Sequence, residues 1–238
     1  MDFSLLAWGD AGWSDEMLRG ALMTMAVAAC AYVLGIAIGA VLAAFKLSDR
    51  IYLRVFADAY TTVIRGIPEL LVIYLVFYGG GELLRYIANG VFAYDGYIDP
   101  PLFITGMVCI GISAGAYSTE VIRGAVLAVP SGQLEAALAI GMSRRQRLQR
   151  ILIPQVLRYA LPGLGNVWQL TLKETSLISV IGLVEIMRQA AVASGSTKEP
   201  FTFYLFAAAL YLGLTMISNQ GFNYTERWAN RGVRREAH

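Results

Sequence analysis

Histidine is almost absent from this 238-residue chain: its one copy is His238, the last residue. That removes the commonest general acid or base and the commonest metal ligand from the interior. Cysteine is nearly as scarce. Cys30 and Cys109 both sit in uncharged stretches, which excludes a disulfide framework and argues against a metal cluster. No lysine follows a glycine, so a phosphate loop of the G-K-[ST] kind cannot be built and ATP is not bound that way. Charge is also in short supply, at 15% of residues against 57% hydrophobic. A mean hydropathy of +0.56 lies outside the range of ordinary soluble domains. The net charge of +2 is too small to suggest nucleic acid. The first eighteen residues carry Asp2, Asp10, Asp15 and Glu16 with no basic residue, the wrong pattern for a cleaved signal peptide. Trp8 and Trp13 there suggest a segment at the membrane interface.

What is present is apolar sequence in long runs. A bilayer core about 30 Å thick needs roughly 20 mostly apolar residues per helix. Gly20 to Phe45, Leu102 to Thr119 and Phe201 to Thr225 are uncharged and long enough. A run from Ala59 to Gly81 is interrupted by Arg65, Pro68 and Glu69, and one from Leu161 to Val184 contains Lys173 and Glu174. The expectation is an all-α membrane protein of about five spans. Lys and Arg gather on the cytoplasmic side of membrane proteins. Thirteen of them follow spans one, three and five, and only four fall on the other side. The N-terminus is therefore expected outside and the C-terminus inside. The divisions are an interfacial segment over 1–19, a membrane domain over 20–225 and a basic tail over 226–238.

Between spans three and four lies an inner loop, 130–159, too long to be a mere connection. Leu134, Ala137, Leu138 and Gly141 repeat at helical spacing, and Gly141 can supply the positive φ that ends a helix. Ser143 with Gln146 reads as a capping box that opens a second, basic helix parallel to the membrane, closed by Pro154. Physics alone leaves this helix open to a plainer role, holding anionic lipid.

Glu135-Ala136-Ala137, three residues, Gly141, nine residues, then Ile151-Leu152-Ile153-Pro154 resembles the EAA loop of ABC importer membrane subunits. Ile153 stands where that family usually has Leu. The stretches Gly115 to Ala125, Leu161 to Asn166 and Leu172 to Leu177 are similar to the polar amino acid branch. Within it the chain looks most like Q-type permease subunits for histidine, lysine, arginine and ornithine, and for octopine and nopaline. The resemblance implies that Glu135, Ala136, Ala137, Gly141 and Pro154 form a coupling segment seated on an ATPase subunit. It also implies a second permease chain (an M-type relative or this chain itself), two ATP-binding subunits and a periplasmic solute-binding protein. ATP and Mg would reside on the partner, so no cofactor and no catalysis are expected here. Arg65, Pro68 and Glu69 resemble the family's R-G-[IVT]-P stretch, read as a break at the inner membrane face serving as an anchor or a gate.

Other motifs are better declined. Gly111-Ile112-Ser113-Ala114-Gly115 matches a hydrolase pattern but has no histidine to follow it, and it reads instead as a packing face, as do Gly35 and Gly39. Asn223-Tyr224-Thr225 matches a glycosylation acceptor at the inner end of span five, where it carries no meaning. The remaining signal is polar. Asn166, Gln169, Lys173 and Ser176 fall on one face of span four, and Ser113, Tyr117 and Glu120 share a face of span three. A charge at mid-span costs roughly 2.5–3.5 kcal/mol, so these groups face protein or water. Two readings stay open. Lys173 is held by Glu120 or Glu174, or else Glu120, Tyr117, Asn166, Gln169, Lys173, Glu174 and Ser176 line a path for a polar amino acid or opine, with Lys173 on the ligand's carboxylate and Glu120 or Glu174 on its cationic end. A secondary transporter or channel that needs no ATPase is the rival class, and it leaves the inner loop unexplained. A membrane enzyme finds almost no candidate residues.

Overall fold

The computed structural model describes residues 3–9, 12–92 and 101–231. Asp2, Asp10, Arg234, Arg235 and His238 lie outside the described residues, so the terminal segments named above are described only in part. After a 3-10 turn, Phe3–Leu6, the helices are α1 (Ser14–Lys46), α2 (Ile51–Gly66), α3 (Glu69–Phe92), α4 (Leu102–Leu127) and α5 (Ser131–Ala139). A helical stretch then runs through α6 (Arg144–Arg147), a π-helical turn (Leu148–Leu152), α7 (Ile153–Glu174) and a 3-10 segment (Thr175–Ile181). α8 (Ile186–Thr197) and α9 (Pro200–Ala229) complete the chain. No strand occurs among the described residues.

Four helices are long and apolar enough to cross a membrane: Ser14–Lys46, Glu69–Ile87, Leu102–Leu127 and Pro200–Ala229. Arg144–Ile181 with Ile186–Thr197, bent by 48° at the break, is the candidate for a fifth, broken crossing. Spans one, three and five fall where the uncharged runs predict, and each helix extends further. α1 begins at Ser14, inside the stretch read as interfacial, and α9 continues four residues past Thr225.

Spans two and four differ from expectation: the break read at Arg65, Pro68 and Glu69 is present and moves the start of span two, whereas the break in span four was not foreseen. The second crossing starts at Glu69, not Ala59. Pro68 has no N–H and holds the residue before it in extended geometry, and Ile67 sits at φ −109°, ψ 150°. α2, with 16 residues, is about 24 Å long and too short to span. The fourth crossing is not one straight helix from Leu161 to Val184. It tightens at Thr175, ends at Gly182 (φ +101°) and resumes at Ile186. Only glycine takes that φ without strain.

The new start is fixed by Glu185, a fully buried carboxylate that caps α8. It accepts from the backbone N–H of Met187 (2.9 Å) and of Arg188 (2.8 Å), and from the Tyr211 hydroxyl of α9 (2.8 Å). Thr24 of α1 receives the Ile186 N–H at 3.3 Å. One acid thus ties the break to both neighbouring spans.

The tightest packing is between α1 and α4, and small residues permit it. A Cβ added at Gly35 would stand 2.6 Å from the Ala114 Cβ, and one at Gly39 would stand 2.5 Å from the Ser118 Cβ. Gly111 and Gly115 return the favour, receiving Leu34 and Ile38. The declined hydrolase motif is thus a close-packed seam.

Candidate functional site

The predicted polar residues do not form one site. The structure sorts them into three groups on different elements.

Glu120 belongs to an ion-pair cluster at the ends of α1 and α4. Lys46 of α1 reaches Glu120 Oε1 at 2.5 Å, Asp58 of α2 at 2.8 Å and the Thr61 hydroxyl at 2.7 Å. Arg123 holds the other oxygen of Glu120 at 3.0 Å. The reading in which Lys173 is held by Glu120 or Glu174 is therefore corrected. Glu120 is spent on Lys46 and Arg123, and Lys173 makes no ion pair among the described residues. Helical offsets had aligned these charges by depth, but they point to different neighbours.

Gln169, Lys173 and Ser176 do share a face, and it is turned towards α9. Gln169 donates to the Asn219 side chain of α9. Lys173 and Ser176 line a cavity of about 390 Å³ with Tyr204, Tyr211 and Met187. Ser176 uses its hydroxyl on the Lys173 carbonyl, and Asn166, further down the face, is exposed.

Tyr117 contacts Glu69, one of the residues read from the sequence as an anchor or a gate, and Glu174 lies within electrostatic reach of both. The Tyr117 hydroxyl donates to Glu69 Oε1 at 3.2 Å, and the Arg65 guanidinium lies 5.5 Å from the centre of the Tyr117 ring. Glu174 is buried, its Oε1 has no hydrogen-bond partner, and it lies within electrostatic reach of Glu69 and Tyr117. Local backbone explains the convergence. Pro68 ends α2 and delivers Glu69 to the first turn of α3, where the helix dipole favours an anion. Glu174 is placed by the end of α7, where the chain tightens into its 3-10 turn. Two carboxylates against one guanidinium, in a site with an unpartnered buried oxygen, can accept a cationic group such as a guanidinium or ammonium. Arg65 remains available to a carboxylate. Glu69, read from the sequence with Arg65 and Pro68 as an anchor or a gate, was not joined there to Tyr117 and Glu174, because helical spacing cannot relate one helix to another.

In the segment 130–159, expected from the sequence to be an inner loop, α5 is followed by Gly141 at φ +80°, as predicted. The capping box is present: the Ser143 N–H donates to Gln146 Oε1 at 2.8 Å, and the Gln146 N–H to Ser143 Oγ at 3.4 Å. Two details are corrected. Pro154 closes nothing, because the π-helical turn before it makes room for a ring that lacks an N–H, and the helix runs on. The basic helix is thereby continuous with the fourth crossing, not a separate helix parallel to the membrane. Glu135, Ala136 and Gly141 are exposed, with Leu138 and Ile140 beside them, whereas Ala137 is buried within the chain itself.

Four helices able to cross a membrane, a bent helix pair that makes a candidate fifth, and a short helix, α5, with small and apolar residues exposed are the features of a multi-pass membrane protein. Residues 17–231 match the family described as binding-protein-dependent transport system inner membrane component. The chain belongs to that family, and it is an inner-membrane component of an ABC transport system. It is 65% identical to the nopaline transport system permease protein NocQ of Agrobacterium fabrum, covering 98% of this chain and 99% of that one. It is 50% identical to the octopine transport system permease protein OccQ of Rhizobium meliloti, covering 97% of each. A solved amino acid ABC transporter, crystallised with histidines, matches at a TM-score of 0.77 and 31% identity over 90% of this chain and 94% of that one. The ATPase-independent transporter or channel is set aside by this membership.

Proposed function

We propose that this chain forms one half of the membrane path of an importer for a basic opine or amino acid. It pairs with a homologous M-type permease or with a second copy of itself, draws on two ATP-binding subunits, and receives substrate from a periplasmic solute-binding protein. The observation that carries the substrate reading is the buried Glu174 carboxylate, with an unpartnered oxygen, beside Glu69 and Tyr117. A guanidinium supplies what that site lacks, and Arg65 suits the ligand's carboxylate. The names of the nopaline and octopine relatives fit the same chemistry. Gln169, Lys173 and Ser176, which face α9, and the exposed Asn166 serve a second permease surface or the outer approach to the path.

The N-terminus lies outside and the C-terminus inside, so α5 faces the ATPase. Ile140 and Leu138, 79% and 57% exposed, are the apolar contacts that seat α5, with Glu135, Ala136 and Gly141 around them. Reconstituting the complex with its binding protein tests the proposal. ATP-driven uptake of nopaline, octopine or arginine should exceed uptake of a neutral amino acid. Uptake that needs no ATP, or that ignores the guanidinium, would overturn it.

A further inference from the structure

The hairpin formed by α1 and α2 encloses a groove that none of the three polar groups uses. Its volume is about 470 Å³, and it is lined by Ile38, Val41, Phe45, Phe56 and Tyr60 among others, all of them uncharged. The Tyr60 hydroxyl is engaged by the Ile112 carbonyl of α4 at 2.8 Å, so its ring is what remains for the groove. Val41 and Phe56 are more than half exposed, as are Val55 and Val63 further along α2. α2 is too short to span alone, but its Tyr60 reaches the middle of α4, so it lies at membrane depth with an apolar outer face left open.

The groove has charge at one end only. Phe45 and Phe56 lie nearest the α1–α2 turn, with Arg50 at that turn and Arg54 in the first turn of α2. Arg50 donates to the Tyr52 hydroxyl and Arg54 to the Ser48 carbonyl, each at 3.1 Å, and neither meets a carboxylate among the described residues. Of the acids near this turn, Asp58 is held by Lys46 at 2.8 Å, which leaves Asp49 as the local offset to two guanidinium groups. An apolar trough with a cationic mouth fits an amphiphile that has an apolar tail and an anionic head. On the inner side of the membrane the anionic lipids supply such molecules.

We infer that the α1–α2 groove binds an anionic phospholipid, one acyl chain lying along Val41 and Phe56 and the phosphate held between Arg50 and Arg54. The lipid braces α2 against α1 beside the Lys46 cluster. This rests on the inner-side placement of the turn, which labelling of Ser48→Cys with an impermeant thiol reagent checks separately, and it does not depend on the substrate reading.

The test uses the assembled complex, with both permeases and the ATPases, in phosphatidylethanolamine vesicles. These are doped either with a photoactivatable phosphatidylglycerol bearing its reactive group at mid-chain or with the matching phosphatidylcholine. Phosphatidylglycerol should label the segments 37–45 and 51–60 more strongly than phosphatidylcholine. Arg50→Gln combined with Arg54→Gln should remove that preference, a loss on the order of tenfold. Val41→Trp, which fills the groove from its open side, should lower labelling by both lipids. Equal labelling by the two lipids would overturn the inference. So would labelling that is seen in the isolated permease but lost in the complex, because a partner subunit would then cover the groove.

Discussion

The α1–α4 seam and the α7–α8 break are built on opposite principles. Along the seam, glycines meet Ala114, Ser118, Leu34 and Ile38 so closely that no Cβ fits, and the contact is van der Waals packing without charge. At the break, Gly182 and a 3-10 turn interrupt the helix, a buried acid caps the restart, and Glu174 keeps an unsatisfied oxygen. In lipid, helices gain little from burying apolar surface, so close packing of small residues holds the frame together. Irregular backbone and buried charge are tolerated only where protein or a water-filled path receives them. On the proposed function, the contrast separates the part of the chain that keeps its shape from the part that handles a polar ligand.

The sharpest way to break this comparison is to crowd the seam. Gly39→Leu places a side chain against Ser118 where even a Cβ stands at 2.5 Å, an overpacking cost of about 3 kcal/mol or more. The expected result is loss of recoverable complex, read by size-exclusion chromatography in detergent. Gly195→Leu on α8, where a Cβ meets nothing within 4 Å, should be recovered normally.

The next effect is at the break. Glu185→Ala strips two α8 backbone N–H groups and the Tyr211 hydroxyl of their acceptor, at a cost of about 2–3 kcal/mol. The thermal melting point of the complex should fall clearly while the protein still inserts. An unchanged melting point would mean that α8 is held by its partners and not by its cap.

Coupling should separate from stability. Ile140→Glu puts a charge on an exposed side chain of α5, so folding should be unaffected while binding-protein-stimulated ATP hydrolysis and uptake fall together. Ala137→Trp should instead destabilise the permease itself, because Ala137 is buried in its own chain. The smallest effect concerns Lys173. With no ion-pair partner, Lys173→Gln and Glu120→Gln should act additively on stability within about 0.5 kcal/mol, measured by a double-mutant cycle in detergent melts. A larger coupling would restore the pairing that the structure rejects.

Much of the frame was legible in the sequence because its signals are local. Uncharged length marked α1, α4 and α9, and Gly141, Ser143 and Gln146 spelled out a turn and a cap that the structure reproduces. The EAA loop and the motifs in spans three and four identified the family. What was not legible depends on direction. Periodicity put Glu120 and Lys173 on polar faces but could not say that Lys46, counted as a loop charge, would reach Glu120 first. Glu69 looked like an edge residue until Pro68 turned it towards Tyr117. Ala137 and Pro154 were assigned by motif position. One is covered by its own chain, and the other is carried through by a π-helical turn invisible to pattern reading.

The central claim is that Glu174, together with Glu69, receives the cationic end of the substrate. It is tested most directly by Glu174→Gln in the reconstituted complex, using the best-transported guanidinium substrate and its uncharged ureido counterpart at equal concentrations. Loss of a charge-assisted hydrogen bond predicts a fall of about tenfold or more in transport of the guanidinium substrate. The ureido compound should change little, with complex recovery and melting point near wild type. Equal losses for both compounds, or no loss for either, would contradict the claim and make Glu174 a structural residue of the fourth crossing.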